Sequence, residues 1–193
     1  MTSTPSPSRQ RGVALIVTLI ALLLLMIAAA AMVRSMDSSS VMAGNLAFRR
    51  DLANRAERGI VAARAALVSG ALSTETVRVA DRAASNYSAS KLPSGATGVP
   101  LVLTSDSAFG NAKLAAGDIT DDGVTVRYVI DRQCTAAGAF DSGTCESLVA
   151  GADSGGSNWL RKPGGTARPV YRISVRVSGP RGTQAYFQTT FAN

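Results

Sequence analysis

Residues 13–33 read VALIVTLIALLLLMIAAAAMV, a stretch with no charge and one hydroxyl, Thr18. As a helix rising about 1.5 Å per residue, it reaches about 31 Å, the thickness of a bilayer's hydrocarbon core. The remainder of a 193-residue chain offers no core that could bury such a helix on every side, whereas in lipid a helix satisfies its own backbone. Arg9 and Arg11 precede the run, with no acid in the first twelve residues. Positive charge stays inside, so the amino terminus is expected in the cytoplasm and the rest of the chain across the membrane. Three readings fit the run. It is a plain anchor, a secretory signal released at the A-x-A pattern of Ala28–Ala31, or a prepilin-type signal cut before the apolar run, which then stays attached.

The residues that follow help to choose. Phe48, Leu52, Ala56, Ile60, Ala63 and Leu67 recur at steps of three and four and share one helical face. Arg49, Arg50, Asn54, Glu57, Arg58 and Arg64 mostly fill the rest, and Asp51 and Arg55 form an i,i+4 pair in the favourable order. Ser38–Ser40 and Met42–Asn45 weaken a helix, so a bend or local melting is expected there. Gly70 supplies a stop. The pattern predicts one interrupted helix over about 13–69, apolar all round in its first half and amphipathic in its second.

Histidine is absent, which removes Ser-His-Asp, Cys-His and HExxH chemistry. Two cysteines cannot make a Cys-only zinc site. The composition points away from an enzyme, and no cofactor or metal is expected. Twenty Lys+Arg against thirteen Asp+Glu give a net charge of +7. Residues 161–181 carry Arg161, Lys162, Arg168, Arg172, Arg176 and Arg181 and no acid. A basic stretch can serve nucleic acid, lipid or an acidic partner, or simply solvate a face. Cys134 and Cys145 bracket a Gly/Ala/Ser-rich stretch, and outside the cytoplasm a disulfide closing it is the natural reading.

Gln10-Arg11-Gly12 followed by Val13-Ala14-Leu15-Ile16-Val17 resembles a type IV prepilin of the PilX minor-pilin class. Met42-Ala43-Gly44-Asn45-Leu46 with Ala56-Glu57, and the tail segments Tyr171-Arg172-Ile173, Arg181-Gly182 and Thr189–Ala192, are similar to the same family. The resemblance covers about residues 9–60 and 169–193. It implies cleavage between Gly12 and Val13 by prepilin peptidase and methylation of the new amino terminus. Val13 departs from the usual Phe. The fifth mature position, Glu in major pilins, is Val17 here. PilX-type pilins and GspK-type pseudopilins share that lack, which fits a subunit starting or capping a filament. The implied partners are other minor pilins, the major pilin and a PilY-type tip adhesin, with the inner membrane before assembly and the pilus tip at the cell surface after it. Nucleic acid is not expected among them. Close packing between helices in lipid favours small residues, here Ala21 and Ala28, Ala29, Ala30 and Ala31.

The expected organisation is a leader (1–12), an assembly helix (13–33), an amphipathic continuation (34–70) and a small α+β domain (71–193). Residues 70–98 read as loop with a short strand at Thr76–Ala80, and Val99–Thr104 is a short apolar run. Asp122-Gly123 signals a hairpin turn, after which Val124, Val126, Tyr128 and Ile130 alternate with polar residues. Residues 132–169 read as one Gly/Ser-rich excursion. Tyr171, Ile173, Val175 and Val177 form one strand face, and Arg172, Ser174 and Arg176 the opposite one. Ala185, Phe187, Thr189 and Phe191 continue past a turn at 178–182. The expected fold is pilin-like α+β, the helix stripe packed on one face of a small antiparallel sheet with polar residues outward on the other.

Remaining motifs are weak. Ser88-Ala89-Ser90-Lys91 matches S-x-x-K without a following K-T-G. Asp118, Asp121 and Asp122 lack EF-hand spacing and read as turn chemistry. Trp159, Arg172 and Arg176 are candidate contacts for a partner or DNA. Two further functions remain open: a membrane-tethered or secreted binding module, and a type II secretion pseudopilin.

Overall fold

The computed structural model describes residues 11–112, 114, 117–150 and 166–192. The chain divides at Arg49/Arg50 into two compact units. Helix α1 (Arg11–Val68) is helical throughout, so the local melting offered for residues 38–45 does not occur. The hydroxyls that weaken a helix elsewhere are returned to it here: Thr18 Oγ1 donates to the Leu15 carbonyl and Ser39 Oγ to that of Ser35, both at 2.9 Å.

In the first unit every side chain from Val13 to Met36 is exposed. A soluble helix of this composition would bury a face, and this one buries none.

The second unit begins with the amphipathic half of α1 and continues through α2 (Glu75–Arg78), β1 (Tyr87–Ser88), α3 (Asp106–Asn111), β2 (Ile119–Asp121), β3 (Val124–Arg132), β4 (Ser147–Ala150), β5 (Thr166–Ser178) and β6 (Gln184–Ala192). Short 3₁₀ turns lie at Ala83–Ser85, Leu101–Leu103 and Pro180–Gly182. The sheet has β5 at its centre. β3 pairs with it from Thr125↔Ser178 to Arg132↔Tyr171, and β6 covers the other edge from Val170↔Ala192 to Ser178↔Gln184. β1 and β2 both pair with β3. The β1–β3 pair is parallel, so the sheet is mixed rather than antiparallel. β1 reaches β3 after α2 and the 3₁₀ turn, a connection that lets it enter in the same direction. The strand expected at Thr76–Ala80 is instead α2. The β2–β3 turn is as expected: Asp122 and Gly123 both take positive φ (48° and 72°), which a two-residue hairpin loop matching strand twist requires.

The stripe on α1 packs against one sheet face. Leu52, Ala56, Ala63 and Leu67 are buried together with Val124, Val126, Ile130, Tyr171, Ile173, Val175 and Val177, and Ile60 is half-buried. Phe48, assigned to that stripe, is exposed in the first unit. Gly59 sits where helix and sheet come closest. A Cβ there would lie 3.0 Å from Val126 Cγ1 and 3.1 Å from Val175 Cγ1. The helix ends as Gly70 predicts. Its N–H reaches the Ala65 carbonyl (2.9 Å), and a Cβ would strike Ala66 Cα at 2.8 Å.

The second sheet face is also covered. Leu103, Phe109 and Val129 form a smaller core with Leu92, Val99, Val102, Leu114 and Tyr186 partly buried around it. Residues 92–112, with Leu114, therefore make a third layer. This corrects the expectation that Arg172, Ser174 and Arg176 point into water.

Candidate functional site

Three places could carry function: the exposed apolar helix, the disulfide loop and the arginine-rich sheet face. The helix follows directly from sequence. Val13 and Val17 are 64% and 58% exposed, and Ala21 and Ala28–Ala31 are exposed with them. Among the described residues this is the one helix long and apolar enough to cross a membrane. The Gly12–Val13 bond lies inside the first turns of α1.

Cys134 and Cys145 are joined by a disulfide, and both are buried. The bridge does more than close a loop. Val170 in β5 accepts from Gln133 N and donates to Glu146 O, while Glu146 N donates to Gln133 O. The two ends of the loop thus meet on the same side of β5. β3 and β4 run in series along that edge, and residues 134–145 are an excursion pinched out between them. The 132–169 stretch read as one excursion therefore contains a strand, β4. The loop is also docked at its tip. Gly138 N donates to the Val79 carbonyl at 2.8 Å, and the Gly138 carbonyl accepts from Arg132 Nη2.

Arg132 is fully buried. It also donates to the Ala89 carbonyl (3.1 Å) and pairs with Glu75 (2.9 Å). Arg78, likewise buried, donates to the carbonyls of Leu67 (2.7 Å) and Leu72, and so satisfies the end of α1. A cation at a helix carboxy terminus opposes the helix dipole. The Tyr87 hydroxyl donates to the Arg78 carbonyl at 2.8 Å. Burial, above all, pushes the Tyr87 phenol well above the usual tyrosine range. Arg78 and Arg132 were not singled out from sequence. Arg78 lies in a stretch with no periodic signal and Arg132 ends the alternating strand β3, and what identifies each is the set of carbonyls it gathers.

On the far face, Arg172 grips the buried Asp131 through Nε and Nη2 (2.9 and 2.7 Å). Asp131 also accepts from Gln133 Nε2 (2.9 Å) and Leu92 N (3.0 Å). Arg176 is 3% exposed, donates to the Leu103 carbonyl at 3.1 Å and pairs with Asp106. Arg127 pairs with Asp118 (2.6 Å) and Asp106 (2.8 Å), its guanidinium 4.3 Å from the Phe109 ring centre. The Arg176 hydrogen bond, with the charge of both arginines, holds the Asp106 carboxyl below the usual aspartate range. Arg172 and Arg176 thus serve the third layer and present no free guanidinium to a phosphate or partner. Trp159, the other candidate contact, lies outside the described residues.

The weak motifs separate. Ser88 Oγ donates to Asp81 (3.4 Å), while Lys91 faces Glu146 (3.4 Å). Asp118 belongs to Arg127, and Asp121 to Arg58 and Arg55. Among the described residues no cluster of three potential ligands could hold a metal. No family model, curated protein or solved structure matches the chain.

Proposed function

We propose that this chain is a minor pilin of the PilX type, a non-enzymatic subunit that primes or caps a type IV pilus together with other minor pilins. The observation that carries the proposal is α1. One unbroken helix from Arg11 to Val68 is bare and apolar in its first half and packed on a sheet in its second. A cleavable secretory signal has no reason to be helical continuation of a folded domain's own core element, whereas a subunit that leaves the bilayer to join a filament needs that continuity. The resemblance at Gly12–Val17 adds the processing step: prepilin peptidase would remove residues 1–12 and leave the helix attached. Val17 then places no carboxylate near a neighbour's amino terminus, in keeping with a first subunit that has nothing above it. The cross-linked loop suits a domain outside the cytoplasm that meets other minor pilins or a PilY-type tip adhesin.

Mass spectrometry of the mature amino terminus tests this reading. A chain starting at Val13 is the expected result. A start at Ala31 or Met32 would make it a secreted module, and an uncut chain a tethered one.

A further inference from the structure

Among the described residues, the outer edge of β6 is an unprotected pairing edge. Strand parity follows from Val170, whose N–H and C=O both point toward β3 and β4. Neighbouring residues alternate, so Tyr171, Ile173, Val175 and Val177 point toward β6 and bond Phe191, Thr189, Phe187 and Ala185. The same alternation turns the N–H and C=O groups of Tyr186, Gln188 and Thr190 outward. Among the described residues no strand pairs with them. The edge also lacks the usual defences. Gln184–Ala192 reads QAYFQTTFA, with no charge and no proline over nine residues. A long, flat edge of this kind recruits another strand unless it is blunted.

What lies beside the edge identifies the occupant. Arg64 on α1 sits over the Phe191 ring at 5.1 Å and is exposed, with no ion pair among the described residues. Val61 and Val68, three before and four after it on the same helical face, are 61% and 56% exposed. A strand added to β6 would run past Val61, Arg64 and Val68, with Glu57 two turns before Arg64 on the same helical face, and among the described residues Arg64 has no ion pair. A second copy's β6 carries no acidic residue to set beside Arg64. The geometry points to β6 as an acceptor edge for an extended segment of a different protein, alternating apolar and polar residues, with a carboxylate on the side facing Arg64. Backbone bonds would supply affinity and the alternating side chains specificity. The inference is independent of the pilin reading.

The test uses the full chain in detergent micelles and two short peptides that alternate valine with threonine, identical except for Glu or Lys at one position. Amide exchange is followed by NMR. The Glu peptide is expected to slow exchange at Tyr186, Gln188 and Thr190 at least tenfold, and the Lys peptide distinctly less. Thr190→Pro removes an outward N–H and spares the β5 ladder, as edge prolines do, and should abolish protection by both peptides. Arg64→Ala, on the helix, should make the two peptides equivalent. No protection by either peptide at millimolar concentration would overturn the proposal. So would equal protection by both in the unaltered chain, or a Thr190→Cys variant that cross-links to a second copy of itself. A mature terminus other than Val13 would overturn the pilin reading and leave this edge as it stands.

Discussion

Replacing both cysteines, Cys134→Ser with Cys145→Ser, should cost the second unit about 3 kcal/mol. The bridge spans a sequence separation of 11. Loop-closure entropy then removes about 9 cal/mol/K from the unfolded ensemble, which at 25 °C is about 3 kcal/mol. The native side adds little to that figure. The loop keeps its other moorings, since Gly138 still bonds Val79 and Arg132, and Gln133 and Glu146 still share Val170. A stability change of that size lowers Tm by roughly 6–12 °C in a domain of this length. The assay is urea unfolding followed by near-ultraviolet circular dichroism of tyrosine. Tyr87 and Tyr171 lie 6.4 Å apart in the core and report on packing rather than on the micelle-bound helix. Reductant acting on the unaltered chain should produce the same loss, with an m-value no lower than the parent's because the unfolded chain is freed. A double variant within about 1 kcal/mol of the parent would refute the account, because the bridge would then be an ornament on a junction held by β5 alone.

Gly59→Leu should destabilise by more than about 2 kcal/mol in the same assay, because two buried valines stand 3.0 and 3.1 Å from the new Cβ. Gly59→Ala should fall near zero, since about 1 kcal/mol of helix propensity offsets the tighter contact. Tyr87 gives an alkaline signature. Its folded pKa is raised, so its contribution is full below the ordinary tyrosine pKa near ~10 and is lost as pH rises above it, and Tyr87→Phe should flatten the stability profile there. With α1 in a bilayer, as the proposed function has it, Val17→Glu places a carboxylate in lipid at a cost of a few kcal/mol unless it is paired. On the pilin reading it should lower pilus number or move the subunit along the filament, and unchanged pili with unchanged placement would count against the reading.

Local rules sufficed where an element obeys one periodicity and needs no distant partner. The α1 stripe, the Asp122-Gly123 hairpin and the β5 alternation are of that kind. The continuous helix through Ser38–Asn45 was not legible, because propensity is a weak prior that scores Ser, Gly and Asn as breakers and leaves out the turns on either side. Residues 70–112 were opaque for a different reason. Their apolar residues Leu72, Leu103 and Phe109 follow no single period and join two different cores, and several of their carbonyls are held by arginines distant in sequence. β1 escaped notice because two residues, Tyr87 and Ser88, carry no period at all.

The arginine-rich face shows how such opacity misleads a functional reading. The acid-free run from Arg161 to Arg181 looks like a surface waiting for phosphate because its counter-charges lie elsewhere in the chain. Asp131 arrives on the neighbouring strand and Asp106 on α3, each 40 residues or more away in sequence from its arginine. Folding converts two of those charges, Arg172 and Arg176, into an internal lattice that fastens the third layer to the sheet, while Arg168 stays exposed. Arg64 differs in kind. Its stretch of α1 is basic too, with Arg49, Arg50, Arg55, Arg58 and Arg64 against Asp51 and Glu57, yet among the described residues Arg64 has no ion pair and sits beside the unpaired edge of β6. A cation left over after folding is better evidence of a partner than a cation-rich segment before it, because only the first has survived the competition with the chain's own acids.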